Sequence, residues 1–343
     1  MKKLQNTLYI TTPEAYLSLD GENVVMSVQG EMRAKRPLHL LESIVVFGYP
    51  GASPALLGKC AEAGITVTFL TPQGKFLSRS VGKTCGNVIV RREQYRIADD
   101  PARSLSIARN MLAAKMTNSA AVLRRAVSDH RERLHAEEME RSAEEIRRGA
   151  SAAYSSTSSD SLRGLEGECA NRYFSVFEDM ILQQKDIFRF DRRNRRPPMD
   201  PVNAMLSFGY ALMTSVCTSA LETVGLDPYV GFFHTERPGR CSLALDLLEE
   251  FRAPFVDRFV LTMINKKIVT DASFTEKESG AVLLTDGARR DFLDHWQKKK
   301  YEELQHPYLK EKVQWGMIPF VQAMLLAKYI RGDLDDYPPF IWK

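Results

Sequence analysis

The sequence has no CxxC pair. Its five cysteines (Cys60, Cys85, Cys169, Cys217, Cys241) are odd in number and widely spaced, which argues against a thiolate zinc site or a disulfide framework and predicts reduced, mostly buried thiols. No apolar run approaches the roughly 18 residues of a membrane span. The opening MKKLQNTLYITT has two lysines but neither an apolar h-region nor a small-residue cleavage site, so the expected location is the cytoplasm, away from any membrane. A P-loop, a dinucleotide fingerprint and a nucleophile elbow are all missing, which leaves nucleotide binding and covalent serine or cysteine catalysis without support. An excess of one charge is also absent: 47 basic against 43 acidic residues give +4, too little to imply a polyanionic partner by itself.

What is present is a long, ordinary globular composition, 343 residues at 44% hydrophobic and 26% charged, enough to bury sizeable cores. Up to about residue 95 the chain reads as β: 6–10, 15–19, 23–28, 43–48, 65–70 and 75–80 are short runs rich in Val, Ile, Thr, Tyr and Phe, broken by Gly and Pro turns. One helix interrupts them at 53–64, with Ser53 as cap, Pro54 in the first turn and Gly64 as stop. From Asp99-Asp100-Pro101 the apolar spacing becomes helical, and no glycine occurs between Gly86 and Gly149. The charged stretch 122–148 reads as a solvated helical face, and the Ser-rich 150–161 as a flexible connector. Further helices are expected at 161–184, 200–225, 242–265, 284–304 and 313–332, before an irregular tail. The predicted class is therefore α+β: a small N-terminal β-sheet domain (1–95) followed by a larger all-α domain (96–343).

The stretch Gly231–Arg258 carries the densest chemistry. His234 lies in a Gly/Pro-punctuated loop, Ser242 can cap the next helix, and Asp246 and Glu249 fall three apart on it. The core stripe of that helix (Ala244, Leu247, Leu248, Phe251, Phe255) puts the two acids on the opposite face, where such residues are usually solvated; His234 upstream is what singles them out. Glu166 lies between Gly164 and Gly167, within the apolar arc of Leu162, Leu165, Cys169 and Tyr173. A carboxylate there needs an ion-pair partner such as Arg163 or Arg240, or a metal. Carboxylates with one imidazole suit Mg²⁺ or Mn²⁺. An arginine-rich loop at 189–196 offers phosphate contacts. His39, His130, His135, His295 and His306 do not cluster and read as structural or exposed.

LRGLEGECANRYF, DPVNAMLSFGYALM, GFFHTERPGRCSLALDLLEEFR and QAMLLAKYIRGDLDDYPPF resemble, in order and spacing, the CRISPR-associated adaptation integrase, the Cas-one family, most closely that of type I-C systems. The resemblance runs through essentially the whole chain. It implies a dimerising N-terminal β-domain, a helical catalytic domain, and metal-dependent DNA endonuclease and integrase activity that inserts spacer DNA into the CRISPR array. In that reaction a 3′-OH attacks a phosphodiester at the leader–repeat junction. It further implies Glu166, His234 and Glu249 as ligands of Mg²⁺ or Mn²⁺, with Asp246 in the same pocket. Many members have aspartate where Glu249 stands, so Glu249 and Asp246 stay alternatives for direct ligation. Implied partners are a second copy, a Cas-two dimer bridging two such dimers, and double-stranded DNA from protospacer and leader–repeat. Arg163, Arg237, Arg240, Arg252, Arg193 and Arg196 are candidate DNA contacts, and the apolar tail YPPFIW a candidate docking segment. Two alternatives stand beside this one: a non-catalytic DNA-binding assembly protein whose acids form only salt bridges, and a metal hydrolase of small phosphoesters.

Overall fold

The computed structural model describes residues 6–72, 74–80, 82, 88–194 and 197–342. Cys85 and Arg196 lie outside these. The front of the chain contains β1 (Asn6–Ile10), β2 (Ala15–Asp20), β3 (Asn23–Val28), β4 (Glu31–Pro37), β5 (Leu41–Phe47), β6 (Gly51–Ala52), α1 (Pro54–Glu62), β7 (Thr66–Leu70) and β8 (Phe76–Ser80). They form two four-stranded sheets, ordered β1-β5-β7-β8 and β4-β3-β2-β6. β1, β5 and β7 run parallel, with Leu8 opposite Ile44 and Ile44 opposite Val67.

β5 reads LESIVVF because both of its faces are covered, as in most parallel sheets. Successive side chains point to opposite faces. Ile44 and Val46 therefore enter a core shared with Leu17, Leu56 and Val67, while Val45 and Phe47 face the helices. The Phe47 ring packs on Phe208 with centroids 5.7 Å apart. A second tie is ionic: the buried Lys300 ammonium pairs with Glu42 of β5 and donates to Thr7 Oγ1 of β1 at 3.0 Å.

The remainder comprises α2 (Val88–Asp99), α3 (Pro101–His130), α4 (Ala136–Tyr154), α5 (Ser159–Ser175), α6 (Pro201–Thr223), α7 (Ser242–Leu248), α8 (Arg258–Asn265), β9 (Phe274–Glu276), β10 (Val282–Leu284), α9 (Asp286–Tyr301), β11 (Glu303–Gln305), β12 (Lys312–Gln314) and α10 (Ile318–Ile330). The Asp100 carboxylate caps α3 by accepting from Ala102 N and Arg103 N at 2.9 and 3.2 Å, and Asp200 caps α6 through Asn203 N at 2.7 Å. α6 is the one helix among the described residues long and apolar enough to cross a membrane, but 67% of that apolar window is buried inside the protein. It is the core helix. At Gly209 a Cβ would lie 2.7 Å from Val256 Cγ1, so the missing side chain is what lets α6 press against the segment before α8.

Several expectations are corrected. β4 escapes pattern reading because EMRAKRP is charged; it is an edge strand, where charge suppresses unwanted pairing. The helical region is not all-α: two ribbons, β9–β10 and β11–β12, are too short at three residues per strand to show a period. The Ser-rich segment is mostly helix, α4 running to Tyr154 and α5 starting at Ser159 with Ser158 Oγ accepting from Ser161 N. The 122–148 stretch is solvated on its outer face only, since Leu123, Met139, Ala143 and Ile146 are buried between α3 and α4. The expected helix 242–265 is broken: α7 stops at Leu248, and a π-helical turn spans Arg252–Asp257 before α8.

The tail is irregular as expected, but its apolar residues dock on their own chain. Tyr337 and Phe340 are fully buried. The Asn118 side chain of α3 donates to Phe340 O at 2.9 Å and accepts from Trp342 N at 2.8 Å. Buried Glu250 accepts from Tyr337 Oη at 2.6 Å and Phe340 N at 2.7 Å. Phe340→Ala is expected to lower stability by about 3–5 kcal/mol, through lost burial plus a cavity, read as a shifted urea midpoint at unchanged slope.

Candidate active site

The loop after α6 is held by buried Gln94 of α2, whose Nε2 donates to Asp227 O and Val230 O, both at 2.8 Å, and whose Oε1 accepts from Asp227 N at 2.8 Å. The chain then passes over the first turn of α7. Asp246, 1% exposed, organises that crossing. Its Oδ2 accepts from Phe232 N and Phe233 N at 2.7 and 3.1 Å, and its Oδ1 from His234 N at 2.9 Å and His234 Nδ1 at 2.6 Å. Gly231 is obligatory here, because a Cβ would come within 2.7 Å of Asp246 Oδ2 and 2.9 Å of Ser242. Ser242 does not cap α7, contrary to expectation. Cys241 is the N-cap, and Ser242 Oγ donates back to Thr235 O at 3.3 Å.

With Nδ1–H committed to Asp246, the imidazole turns Nε2 toward Glu249, 3.9 Å from its Oε1. Neither acid is solvated. Because α7 ends at Leu248, Glu249 swings inward and is 4% exposed. Its Oε2 lies 2.7 Å from Lys115 Nζ and 3.0 Å from Arg252 Nε. Burial pushes the Glu249 carboxyl up, but the charges of Arg252, Lys115 and His234 outweigh it and hold the pKa down at about 2. Glu166 of α5 meets the same Lys115 ammonium. Its ion-pair partner is thus Lys115, while Arg163 pairs with Asp160 at 2.7 Å and Arg240 donates to Thr235 O at 3.4 Å.

Beneath the site, the Arg252 guanidinium lies 4.5 Å over the Tyr210 ring, and Tyr210 Oη donates to Asp257 Oδ1 at 2.5 Å. Burial raises the Asp257 pKa to about 6. Arg252 is therefore enclosed rather than offered to a phosphate. Arg193 is likewise engaged inside, with Asn203, with Ser207 Oγ at 3.0 Å and over the Tyr210 ring. Arg163 and Arg237 stay exposed at the rim, with Arg163 5.4 Å over Phe233. Arg240 is partly exposed beside them. Of the other histidines, His306 is buried and bonded to Gln322 at 3.0 Å, a structural role.

Three of the four carboxyl and imidazole residues singled out from sequence, His234, Asp246 and Glu249, stand together, and Glu166 joins them through Lys115. Lys115 is what sequence reasoning missed. Its signal was available: a single charge inside the apolar run MLAAKM of α3. Among the described residues, no three His, Cys, Asp or Glu side chains already stand at ion-binding spacing, because the ammonium lies between the two glutamates. The donor chemistry nevertheless fits a hard or borderline divalent ion. Two carboxylates converge with an imidazole whose far nitrogen is fixed by a carboxylate, the usual support of a metal-binding histidine.

The sequence model of CRISPR associated protein Cas1 matches residues 8–298. The chain belongs to the Cas1 family. One Cas1 relative, "CRISPR-associated endonuclease Cas1 1" of Chlorobaculum tepidum, is 46% identical over 343 residues, all of both chains. In fold, the chain resembles a casposase bound to integration product, with a TM-score of 0.85 at 23% identity, covering 99% of this chain and 95% of that one. A Cas6-RT-Cas1–Cas2 complex gives 0.81 at 20%, covering all of this chain and 36% of the other.

Because the folded pKa of Glu249 lies below the ordinary 4.5, its ionised form adds stability that is complete above about pH 5 and fades as pH falls toward about 2. The stability advantage of the native protein over Glu249→Gln is expected to shrink across that window in urea titrations at stepped pH.

Proposed function

We propose that this protein is a divalent-metal-dependent DNA endonuclease and integrase of CRISPR adaptation, of type I-C, in which Glu166, His234 and Glu249 hold Mg²⁺ or Mn²⁺. The observation that carries the reading is the convergence of Glu166 and Glu249 on one cationic head, with His234 Nε2 turned toward Glu249. A cation held there supplies charge stabilisation for the non-bridging oxygens of a phosphodiester under attack. Phosphoryl transfer otherwise requires in-line positioning, and the chain's own residues provide it. Asp246 orients His234 and is a positioning group rather than a ligand, since its two oxygens are engaged by four hydrogen bonds from the 232–234 segment. Arg163, Arg237 and Arg240 at the rim bind the DNA backbone. Arg252 and Arg193 support the site from inside. A protospacer 3′-OH as attacker gives insertion at the leader–repeat junction, and water gives cleavage.

The endonuclease name of the 46%-identical relative and the integration product held by the casposase support this chemistry. The Cas2 in the matched complex supports a Cas-two partner. We assign residues 1–95 to homodimerisation, for which the exposed Phe76 and Leu77 of edge strand β8 speak. Protospacer and leader–repeat duplexes are the DNA partners and the cytoplasm the place of action.

One observation favours the alternative of a non-catalytic DNA-binding assembly protein: Lys115 already neutralises the acids, as a pure salt bridge would. Mn²⁺ soaking separates the two, since an anomalous peak between Glu166, His234 and Glu249 fits only the metal enzyme. In a spacer-insertion assay with the Cas-two partner, Glu166→Ala and His234→Ala are each expected to lose at least about 100-fold in strand transfer while their melting curves stay native-like. Integration at the native rate by either variant overturns the proposal. Asp246→Asn is expected to weaken Mn²⁺ affinity by about 10–100-fold, read by calorimetric titration.

A further inference from the structure

Lys115 reaches the site from the middle of α3, and its ammonium contacts the Glu166 and Glu249 carboxylates together. That position lies between the same oxygens that would hold a divalent ion. Two cations cannot share it, because like charges at contact distance repel strongly in a water-poor site. Beside the ammonium is a cavity of about 40 Å³, lined by Lys115, Glu166, Tyr173, Tyr210 and Asp257, with Arg193 and Arg252 also on its wall. It has room for one water-sized group, and the buried Tyr173 hydroxyl beside it makes no hydrogen bond of normal geometry. The lysine thus has both a present berth between two acids and a second one close by, next to a carboxylate and a phenol.

We propose that Lys115 is an exchangeable counter-ion, which keeps Glu166 and Glu249 together while no metal is bound and withdraws toward Tyr173 and Asp257 when a divalent cation enters. This rests on the reading of the site as a cation centre and adds a regulatory element to it: metal entry is opposed by a built-in competitor. The flexible four-carbon stem of lysine suits such a move better than the planar fork of arginine.

The test is Mn²⁺ titration of the full chain by electron paramagnetic resonance, with melting curves in EDTA. Lys115→Met is expected to bind Mn²⁺ at least tenfold more tightly than the native protein, since no ammonium must be displaced, and to melt earlier in EDTA, since Glu166 loses its ion-pair partner and Glu249 keeps only Arg252. Lys115→Arg keeps the charge and is expected to bind no more tightly than native. A merely structural lysine would not tighten metal binding when removed. Lys115→Met binding equal to or weaker than native overturns the inference, as does Lys115→Arg binding as tightly as Lys115→Met. Should the methionine variant not fold, Lys115→Gln carries the same expectation. Glu166→Gln in the same titration separates the layers: loss of Mn²⁺ binding there keeps the cation centre standing whatever Lys115 does. Absence of Mn²⁺ binding in native and Lys115→Met alike removes the centre and the inference with it.

Discussion

The Asp246 carboxylate, sealed at the first turns of α7, gathers three consecutive backbone N–H groups and one imidazole into its two oxygens. A buried charge is tolerated only when it is fully hydrogen-bonded, and here that requirement shapes the loop. It forces residues 232–234 to curl around one point, which in turn dictates the ring orientation of His234. Gly231 follows as a geometric necessity, and Gln94 holds the far end of the same loop. The candidate site is thus organised from the inside outward, with the buried Asp246 charge orienting His234 Nε2.

The second determinant is the interruption of helical geometry after Leu248. Had α7 continued with a 3.6-residue period to residue 265, Glu249 would have lain opposite the apolar stripe. Instead the chain turns, and the π-helical segment Arg252–Asp257 re-aims Arg252 over Tyr210 and back at Glu249. π-turns inside helices are frequent at functional positions, and this one is wedged against the bare Gly209 of α6.

How much of this can be read from residues alone depends on the range of the interaction. Strands β1, β2, β3, β5, β7 and β8 and the starts of α3 and α6 follow from local alternation and capping, and the structure has them where the pattern puts them. Glu166, His234, Asp246 and Glu249 stand out in the sequence by local setting and motif resemblance, and the structure brings them into one neighbourhood around Lys115. The Lys115 charge within MLAAKM is visible in the sequence but its role is not, because its partner Glu166 is 51 residues away and the pair exists only once α3 packs against α5. The Ser-rich connector misled for a compositional reason: serine and alanine suggest flexibility in isolation, yet Ala150 and Ala153 are buried in the core on the last turns of α4. The charged edge strand β4 misled in the opposite way, since a strand with one free edge need not look apolar. The tail seemed a docking segment because Tyr337 and Phe340 are apolar, and nothing local reveals that Asn118 and Glu250 await them.

The buried Lys300–Glu42 contact, reinforced by Thr7 and by the Phe47–Phe208 stack, welds the front sheets to the helical body. Swivelling one against the other would strip two ions of their mates and wet an aromatic pair. These contacts link the sheet edge to the helical body that carries the carboxylate cluster. In the edge-to-edge dimer proposed for residues 1–95, the spacing of the two carboxylate clusters follows from that link.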